Sequence, residues 1–391
     1  MGGALQGIRV IEIASYVTGP FAGLLLADMG ADVVKLEQPG QGDPFRGWGD
    51  NLYSSNFRSL NRNKKSLTLD IRKDAAREIF LKLTSGADIV IENFRPGTLE
   101  RRGMGYETVR ALNPKIVYCS ISGFGQTGPY RDRPGYDTVG QAMSGLLSLC
   151  TDPEKPQGMG ISFSDHLTGI YACYGILSAL VHRLQTGEGQ RVETSLLRAT
   201  VSFTSENAVR FFETGRVPRR ATRVATAGVF AFTDREGLPF VIHLSSPEKF
   251  WRGLLDVVGK PEWTEDPRFR DRNGRQKNHD ALGEMLAAIF RTGARADWLR
   301  KLEEHDVPSA PLNTMDEVFK DPQVQAYGFP VEAEHPVMGK MKLVGSGVDL
   351  SATPPGVTLP PPTLGEHTEE ILGALGYDAR RIGELKASGV V

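Results

Sequence analysis

IRVIEIASYVTGPFAGLLLADMGADVVKL, residues 8–36, decides the fold. Residues 8–14 are a short run rich in β-branched side chains, Val17-Thr18-Gly19-Pro20 is a turn, residues 21–29 suit a helix, and residues 31–36 form a second apolar run. This is a strand-helix-strand unit. Pro20 suits the first helical position, so the turn presents backbone N–H groups above the sheet, where a phosphate or carboxylate can sit. The alternation continues with strand 66–71, helix 74–84, strand 88–93, helix 98–112 and strand 115–120. Strands separated by helices of this length imply a mostly parallel sheet covered on both faces, with ligands at the carboxyl ends of the strands. Those ends are residues 14–20, 92–97 and 122–129, each rich in Gly, Pro and hydrogen-bonding side chains. No GxGxxG occurs in the first unit, and Glu37 reads as a polar strand terminus rather than a ribose ligand.

Composition bounds the rest. A chain of 391 residues exceeds one ordinary core, so two domains are expected, and 40% hydrophobic residues fill both. With 46 basic and 47 acidic residues, the net charge of −1 recruits neither nucleic acid nor an anionic membrane. Cys119, Cys150 and Cys173 are far apart and form no CxxC or Cys/His ligand spacing. They imply a reducing compartment and no structural zinc, and all three read as small core residues. No His/Asp/Glu cluster has ligand spacing, so no metal is expected. Residues 1–20 carry no signal-peptide pattern, no apolar run approaches membrane-spanning length, and Gln6 stands where a myristoylation signal wants Ser or Thr. A cytoplasmic enzyme or binding protein is expected.

Two features point to chemistry. The run Arg58, Arg62, Lys64, Lys65, Arg72 and Lys73 reads first as a solvated loop and second as a seat for ligand phosphates. The stretch GMGISFSDHLTGIYACYGILSALVHRLQTG, residues 158–187, begins polar and glycine-rich and continues with Ile170, Tyr171, Tyr174, Leu177, Ser178 and Val181 at helical spacing. A helix is therefore expected to start near Asp165, whose carboxylate the first-turn N–H groups and the helix dipole keep ionised. Asp165 reads as an N-cap, or as a nucleophile approached through the small residues Gly158, Gly160, Ser162 and Ser164. Gly160-Ile161-Ser162-Phe163-Ser164 nearly spells a GxSxG elbow but fails at its last residue, which argues against a serine hydrolase.

ENFRPG at 92–97, GFGQTGPYRDRPGYDTVGQAMSG at 123–145 and SDHLTG at 164–169 together resemble the class III CoA-transferase (CaiB/BaiF) family. VIEIASYVTGPFAGLLLADMGADVVKLEQPGQGD at 10–43 and LGEHTEEIL at 364–372 are similar to it too, so the resemblance spans nearly the whole chain. It implies that Asp165 is the nucleophile of CoA transfer, passing through an aspartyl anhydride and an aspartyl-CoA thioester. It also implies that Val17, Thr18, Arg72, Asn93, Phe94, Arg101, Tyr136 and Asp137 contact CoA, a substrate thioester rather than a permanently bound cofactor. An interlocked, ring-like homodimer is implied by the resemblance alone. Val17 stands where some formate-type members have Gln, and their glycine loop is absent, which weakens formyl/oxalyl exchange.

The fold family also holds α-methylacyl-CoA racemases, in which a His precedes the Asp of the GYD motif. Here that residue is Tyr136, and a phenol is a poor proton shuttle at neutral pH. Racemase is the alternative, and a non-catalytic CoA-binding protein a further one. His166 reads as a surface or cap residue. Beyond a strand at 190–196 and a helix at 197–213, Arg216, Arg219, Arg220 and Arg223 read as a solvated linker, or as an anchor for the second carboxylate of a dicarboxylic acceptor. The expected architecture is a large Rossmann-like α/β domain over 1–224, a smaller α+β domain over 225–328 and a return segment over 329–391 that packs on the large domain.

Overall fold

The computed structural model describes residues 2–391, which divide into two compact units. The first comprises the chain up to Leu147, Gly158–Ser205 and Gln325–Val391, and the second Ser148–Gln157 and Glu206–Val324. The first runs β1 (Arg9–Ile13), α1 (Thr18–Asp28), β2 (Asp32–Glu37), α2 (Ser55–Leu60), β3 (Lys64–Thr68), α3 (Asp74–Ser85), β4 (Ile89–Glu92), α4 (Tyr106–Leu112) and β5 (Val117–Ser122). It continues through α5 (Asp137–Met143), the first two residues of α6 (Leu146–Cys150), α7 (Phe163–Thr186), β6 (Arg191–Ser195) and α8 (Leu196–Phe203). The strands form one parallel sheet in the order β3-β2-β1-β4-β5-β6. Strand order reverses between β1 and β4, so this is a doubly wound, Rossmann-like sheet whose crevice opens at the carboxyl ends of those two strands.

Several expected boundaries shift for local reasons. Helix α1 begins at Thr18, so Pro20 is its third residue and not its first; the missing N–H still falls among the first-turn donors that lack helical partners. The helix expected over 98–112 breaks into a 3₁₀ turn, Glu100–Arg102, and α4, because Gly103 takes a left-handed conformation with φ 66°. Helices α5 and α6 are separated at Gly145, φ 84°. The helix expected over 197–213 breaks after α8 and resumes as Ser205–Thr214.

Helix α7 is long and apolar enough, by length and composition, to cross a membrane, but it is a core helix here. Ala172, Cys173, Ile176, Ala179 and Leu180 pack against Ile89, Ile91, Val117 and Cys119 of the sheet. Of the residues that carry its helical period, Ile170, Tyr174, Leu177, Ser178 and Val181 face outward instead, as does Leu184, while Tyr171 is half-buried. Cys119 and Cys173 are buried free thiols, whereas Cys150 is exposed, contrary to the reading of all three as core.

The basic run divides in two: Arg62 and Lys64 are buried, whereas Arg72 and Lys73 are exposed. Arg62 pairs with Asp28 and Lys64 with Glu12, all buried, while Lys65 pairs with Glu370 and Arg72 with Asp70. Lys64 belongs to a charge network beneath β1–β3. Glu12 lies 2.9 Å from Lys35 and 2.8 Å from Lys64, Lys35 lies 3.0 Å from Asp43, and Glu37 receives a two-pronged contact from Arg46 at 2.6 and 2.7 Å. Three carboxylates thus meet three cations, and each of these side chains is essentially sealed from solvent. Burial alone would raise the carboxyls, but the facing cations hold Glu12 and Glu37 below the usual range. Burial and the charge of Lys35 push Lys64 down to about 8 against the pull of Glu12. Gly23 makes room for the network, since a Cβ there would stand 2.0 Å from Glu12 Oε2.

The C-terminal segment returns to β3. Asp70 N–H donates to the Val390 carbonyl at 2.7 Å and His367 N–H to that of Ser66 at 3.0 Å, while Leu372, Leu385, Val390 and Val391 join the core with Leu67 and Phe80. In the second unit, strands Val229–Thr233, Pro239–His243 and Ser309–Pro311 form an antiparallel sheet. Helices Glu248–Val258, His279–Phe290 and Arg295–Glu304 cover it with Trp251, Phe290 and Trp298.

Replacing Glu12 by Gln leaves Lys35 and Lys64 short of a buried counter-charge. The expected cost is about 3–5 kcal/mol, read as a lower midpoint of urea unfolding. An unchanged midpoint would mean that the network relaxes or hydrates.

Candidate active site

The crevice at the strand ends is a cleft of about 330 Å³. Its floor comes from the turn after β1, and one side chain clamps the two halves of the sheet together there. Asn93, just past β4, accepts the N–H of Ser15 at 3.0 Å and donates to the Ser15 carbonyl at 2.7 Å and to Thr18 Oγ1 at 3.1 Å. The neighbouring Tyr16 sits at φ 63°, an unusual conformation for a bulky residue. It is held by donation of its N–H to Asp43 Oδ1 at 3.2 Å and by edge-on contacts to Phe45 and Tyr136, ring centroids 5.4 and 6.0 Å away. Asp43 also faces Lys35, so the buried network reaches directly into the turn.

One wall is the loop after β4. Glu92 accepts the Phe94 N–H at 2.9 Å, and burial pushes its carboxyl up to about 7. Phe94, Arg95 and Pro96 line the cleft above it. The opposite wall comes from the loop before α5. A Cβ on Gly123 or Gly135 would lie 3.1 or 3.0 Å from the other's Cα, so only glycines permit this approach of the two backbones. Arg131, Arg133 and Tyr136 project from that loop into the lining, with the Arg133 guanidinium 4.6 Å from the Tyr130 ring centroid.

Asp165 closes the cleft from the first turn of α7. Helix α7 reaches α1 because Gly169 has no side chain: a Cβ there would stand 2.9 Å from the Thr18 carbonyl oxygen. Asp165 is not the N-cap, which is Ser162; its own N–H donates to Asp137 Oδ1 at 3.1 Å. Nor does the helix terminus keep its carboxyl in the ordinary range. Burial, together with the charge of Asp137, pushes it up to about 7. Gly158 and Gly160 do not crowd the approach, since a Cβ on either would meet nothing. Ser164 instead anchors the turn, accepting from Thr200 at 2.9 Å. His166 points away, with Nδ1 donating to the Ser162 carbonyl at 2.7 Å and its ring edge-on to Phe21.

Of the residues expected to contact CoA, Val17, Thr18, Asn93, Phe94 and Tyr136 line the cleft together with Asp165. Arg72 lines a neighbouring cleft of about 410 Å³ with Arg102, and Phe94 belongs to both. Arg101 and Asp137 lie outside the lining, Arg101 with its guanidinium beside Gly97 and Asp137 behind Asp165. Arg216, Arg219, Arg220 and Arg223 are exposed on the second unit. Arg95, Arg131 and Arg133 were not singled out from sequence, although the strings NFRPG and YRDRPGYD contain them. Among the described residues, no group of three or more His, Cys, Asp or Glu could hold a metal.

Asn93→Ala strands the N–H and carbonyl of Ser15 in a half-buried place. It is expected to cost about 1–3 kcal/mol of stability and to weaken CoA binding by calorimetry. Unchanged CoA affinity would show that the clamp does not shape the floor.

Residues 5–368 match CoA-transferase family III. The chain is 36% identical over 397 residues to a succinyl-CoA–D-citramalate CoA-transferase of Chloroflexus aurantiacus, covering 99% of this chain and 98% of the relative. It is 35% identical over 396 residues to the Homo sapiens succinyl-CoA:glutarate CoA-transferase, covering 99% and 90%. A solved CAIB/BAIF family protein from Brucella suis superposes with a TM-score of 0.85 at 34% identity, covering 96% of this chain and 100% of that one. The chain belongs to CoA-transferase family III and is a CoA-transferase.

Proposed function

We propose that this enzyme moves CoA from a dicarboxylic acyl-CoA of the succinyl type to a short dicarboxylate acceptor, through covalent intermediates on Asp165. The observation that carries the reading is the placement of Asp165, half-buried at the end of a cleft that also presents Arg95, Arg131 and Arg133. The acids named for the two relatives above, succinate, citramalate and glutarate, each carry a second carboxylate, and a guanidinium fork suits such a group.

The steps balance without net proton transfer. An Asp165 oxygen attacks the thioester carbonyl, the C–S bond breaks, and an aspartyl anhydride forms with release of CoA thiolate. The thiolate attacks the aspartyl carbonyl and expels the first acid as its carboxylate, leaving an aspartyl-CoA thioester. The acceptor carboxylate attacks that thioester, re-forming an anhydride and the thiolate. Attack of the thiolate on the acceptor's carbonyl yields the new acyl-CoA and restores the Asp165 carboxylate. A carboxylate is a weak nucleophile, so the cleft's contribution is to hold it against the carbonyl and to exclude water. Val17, Thr18, Phe94 and Tyr136 line the space for the pantetheine end, and Arg72 in the adjoining cleft is placed for a phosphate.

The outward stripe on α7, with Tyr174 67% and Leu184 82% exposed, is the surface that a second copy covers in the homodimer. The free cysteines fit a reducing, cytoplasmic setting.

Incubation with a panel of acyl-CoAs followed by hydroxylamine trapping and mass spectrometry is expected to label the Asp165 peptide, most with succinyl-CoA, and Asp165→Ala to abolish the label. No label with any donor, together with deuterium exchange at the α-carbon of a 2-methylacyl-CoA, would turn the reading to the racemase. Because Asp165 attacks as the carboxylate and its pKa is raised to about 7, kcat is expected to fall as pH drops through that value. Arg133→Ala is expected to raise the KM for glutarate on the order of tenfold while leaving that for a monocarboxylate unchanged. An equal rise for both acids would remove the arginine from acceptor recognition.

A further inference from the structure

We infer that Asp137, expected to contact CoA, is instead a positioning residue for Asp165, capping the first turn of α7 from outside that helix and setting the charge its carboxylate faces. The inference rests on the reading of Asp165 as nucleophile.

Asp137 opens α5, and its side chain turns toward α7 rather than along its own helix. Oδ1 accepts the Asp165 N–H at 3.1 Å, and the Ser164 N–H also points at this carboxylate. These are first-turn donors, which a helix cannot satisfy internally. The residue that should serve them, Ser162, makes no side-chain cap bond. The cap is therefore supplied from a different element. Asp137 is fixed in turn by Gln141 one turn later, whose Nε2 donates to Oδ2 at 2.5 Å and to the Ile161 carbonyl at 3.2 Å. Gln141 is fully buried. Gly140, between them, brings α5 against α7 and α8: a Cβ there would stand 3.2 Å from Ser164 Cβ and 2.9 Å from Leu196 Cβ.

Because Asp137 holds the backbone N–H of Asp165 itself, any slip of this cap displaces the attacking oxygens. The titratable groups facing the pair are few. α7 contributes Asp165 and His166, the residue before α5 is Tyr136, and α8 presents Leu196 and Thr200, neither of which titrates. Burial and Asp137 raise the Asp165 carboxyl, while burial raises Asp137 against the two N–H groups, His166 and Gln141.

Asp137→Asn and Asp137→Ala separate position from charge. The Asn variant keeps an acceptor for the Asp165 N–H while removing the charge; opposite its amide the Gln141 side chain must turn so that Oε1, a buried acceptor without a partner here, replaces Nε2. With a donor that labels Asp165 in the wild type, Asp137→Asn is expected to keep the KM for acyl-CoA and to move the acidic limb of kcat lower by about one pH unit. Asp137→Ala is expected to lose kcat on the order of 100-fold with that KM unchanged. If the Ala variant does not fold, the limb of the Asn variant decides. A raised acyl-CoA KM with kcat retained in either variant, or an Asn limb coincident with the wild type's, overturns the inference. Absence of the Asp165 label in the wild type sinks the nucleophile reading and this one with it, whereas a labelled wild type with an unmoved limb overturns this one alone.

Discussion

The cleft depends on a set of charges buried beneath β1, β2 and β3. Taking Glu12, Lys35, Glu37, Asp43, Arg46 and Lys64 out of water is costly, and only their mutual contacts and remaining hydrogen bonds offset that cost. Pro20 and Asn61 oxygens complete Lys64, Ser66 completes Glu37, and the Phe57 ring lies under Arg46. Such a network tolerates little displacement. Its last member, Asp43, holds the Tyr16 N–H, and so a demand of electrostatics in the core becomes a fixed backbone conformation at the site. The strained turn persists because its surroundings over-determine it.

The other half of the site is made by close approach. Gly169 lets α7 reach α1, Gly140 lets α5 reach α7 and α8, and Gly123 and Gly135 bring two loops together. Each contact moves Asp165 or its neighbours toward the crevice between β1 and β4. The consequence is a carboxyl in a half-buried place beside a second carboxyl, where its ionisation is delayed to near neutrality. A less solvated carboxylate is also a better nucleophile, provided it is held in place.

Much of this was legible in the chain. The β-α-β alternation, the strand ends and the helix carrying Asp165 follow from local apolar periodicity, which responds to the same pleat and pitch that set the structure. Helix breaks at Gly103 and Gly145 were not, because a glycine within a periodic run does not reveal whether its φ will be positive. Charge was misread for a deeper reason. Arg62 and Lys64 look like solvent-facing residues until partners 34 and 52 positions away in sequence, Asp28 and Glu12, are brought beside them. Likewise the helical period of α7 was correct, but period alone does not say which stripe the sheet will cover. Ala172, Cys173, Ile176, Ala179 and Leu180 face it, and Ile170, Tyr174, Leu177, Val181 and Leu184 stand outside.

By itself the sequence determined most of the elements, their parallel arrangement and the family, because these rest on local propensity and on motifs contiguous in the chain. Tertiary structure alone decided which residues share the cleft. It brought Arg95, Arg131 and Arg133 to one lining, turned Asn93 into a clamp and set Asp137 behind Asp165. The state of Asp165 was decided there too: a helix terminus lowers a carboxyl and burial raises it, and only packing determines which is stronger.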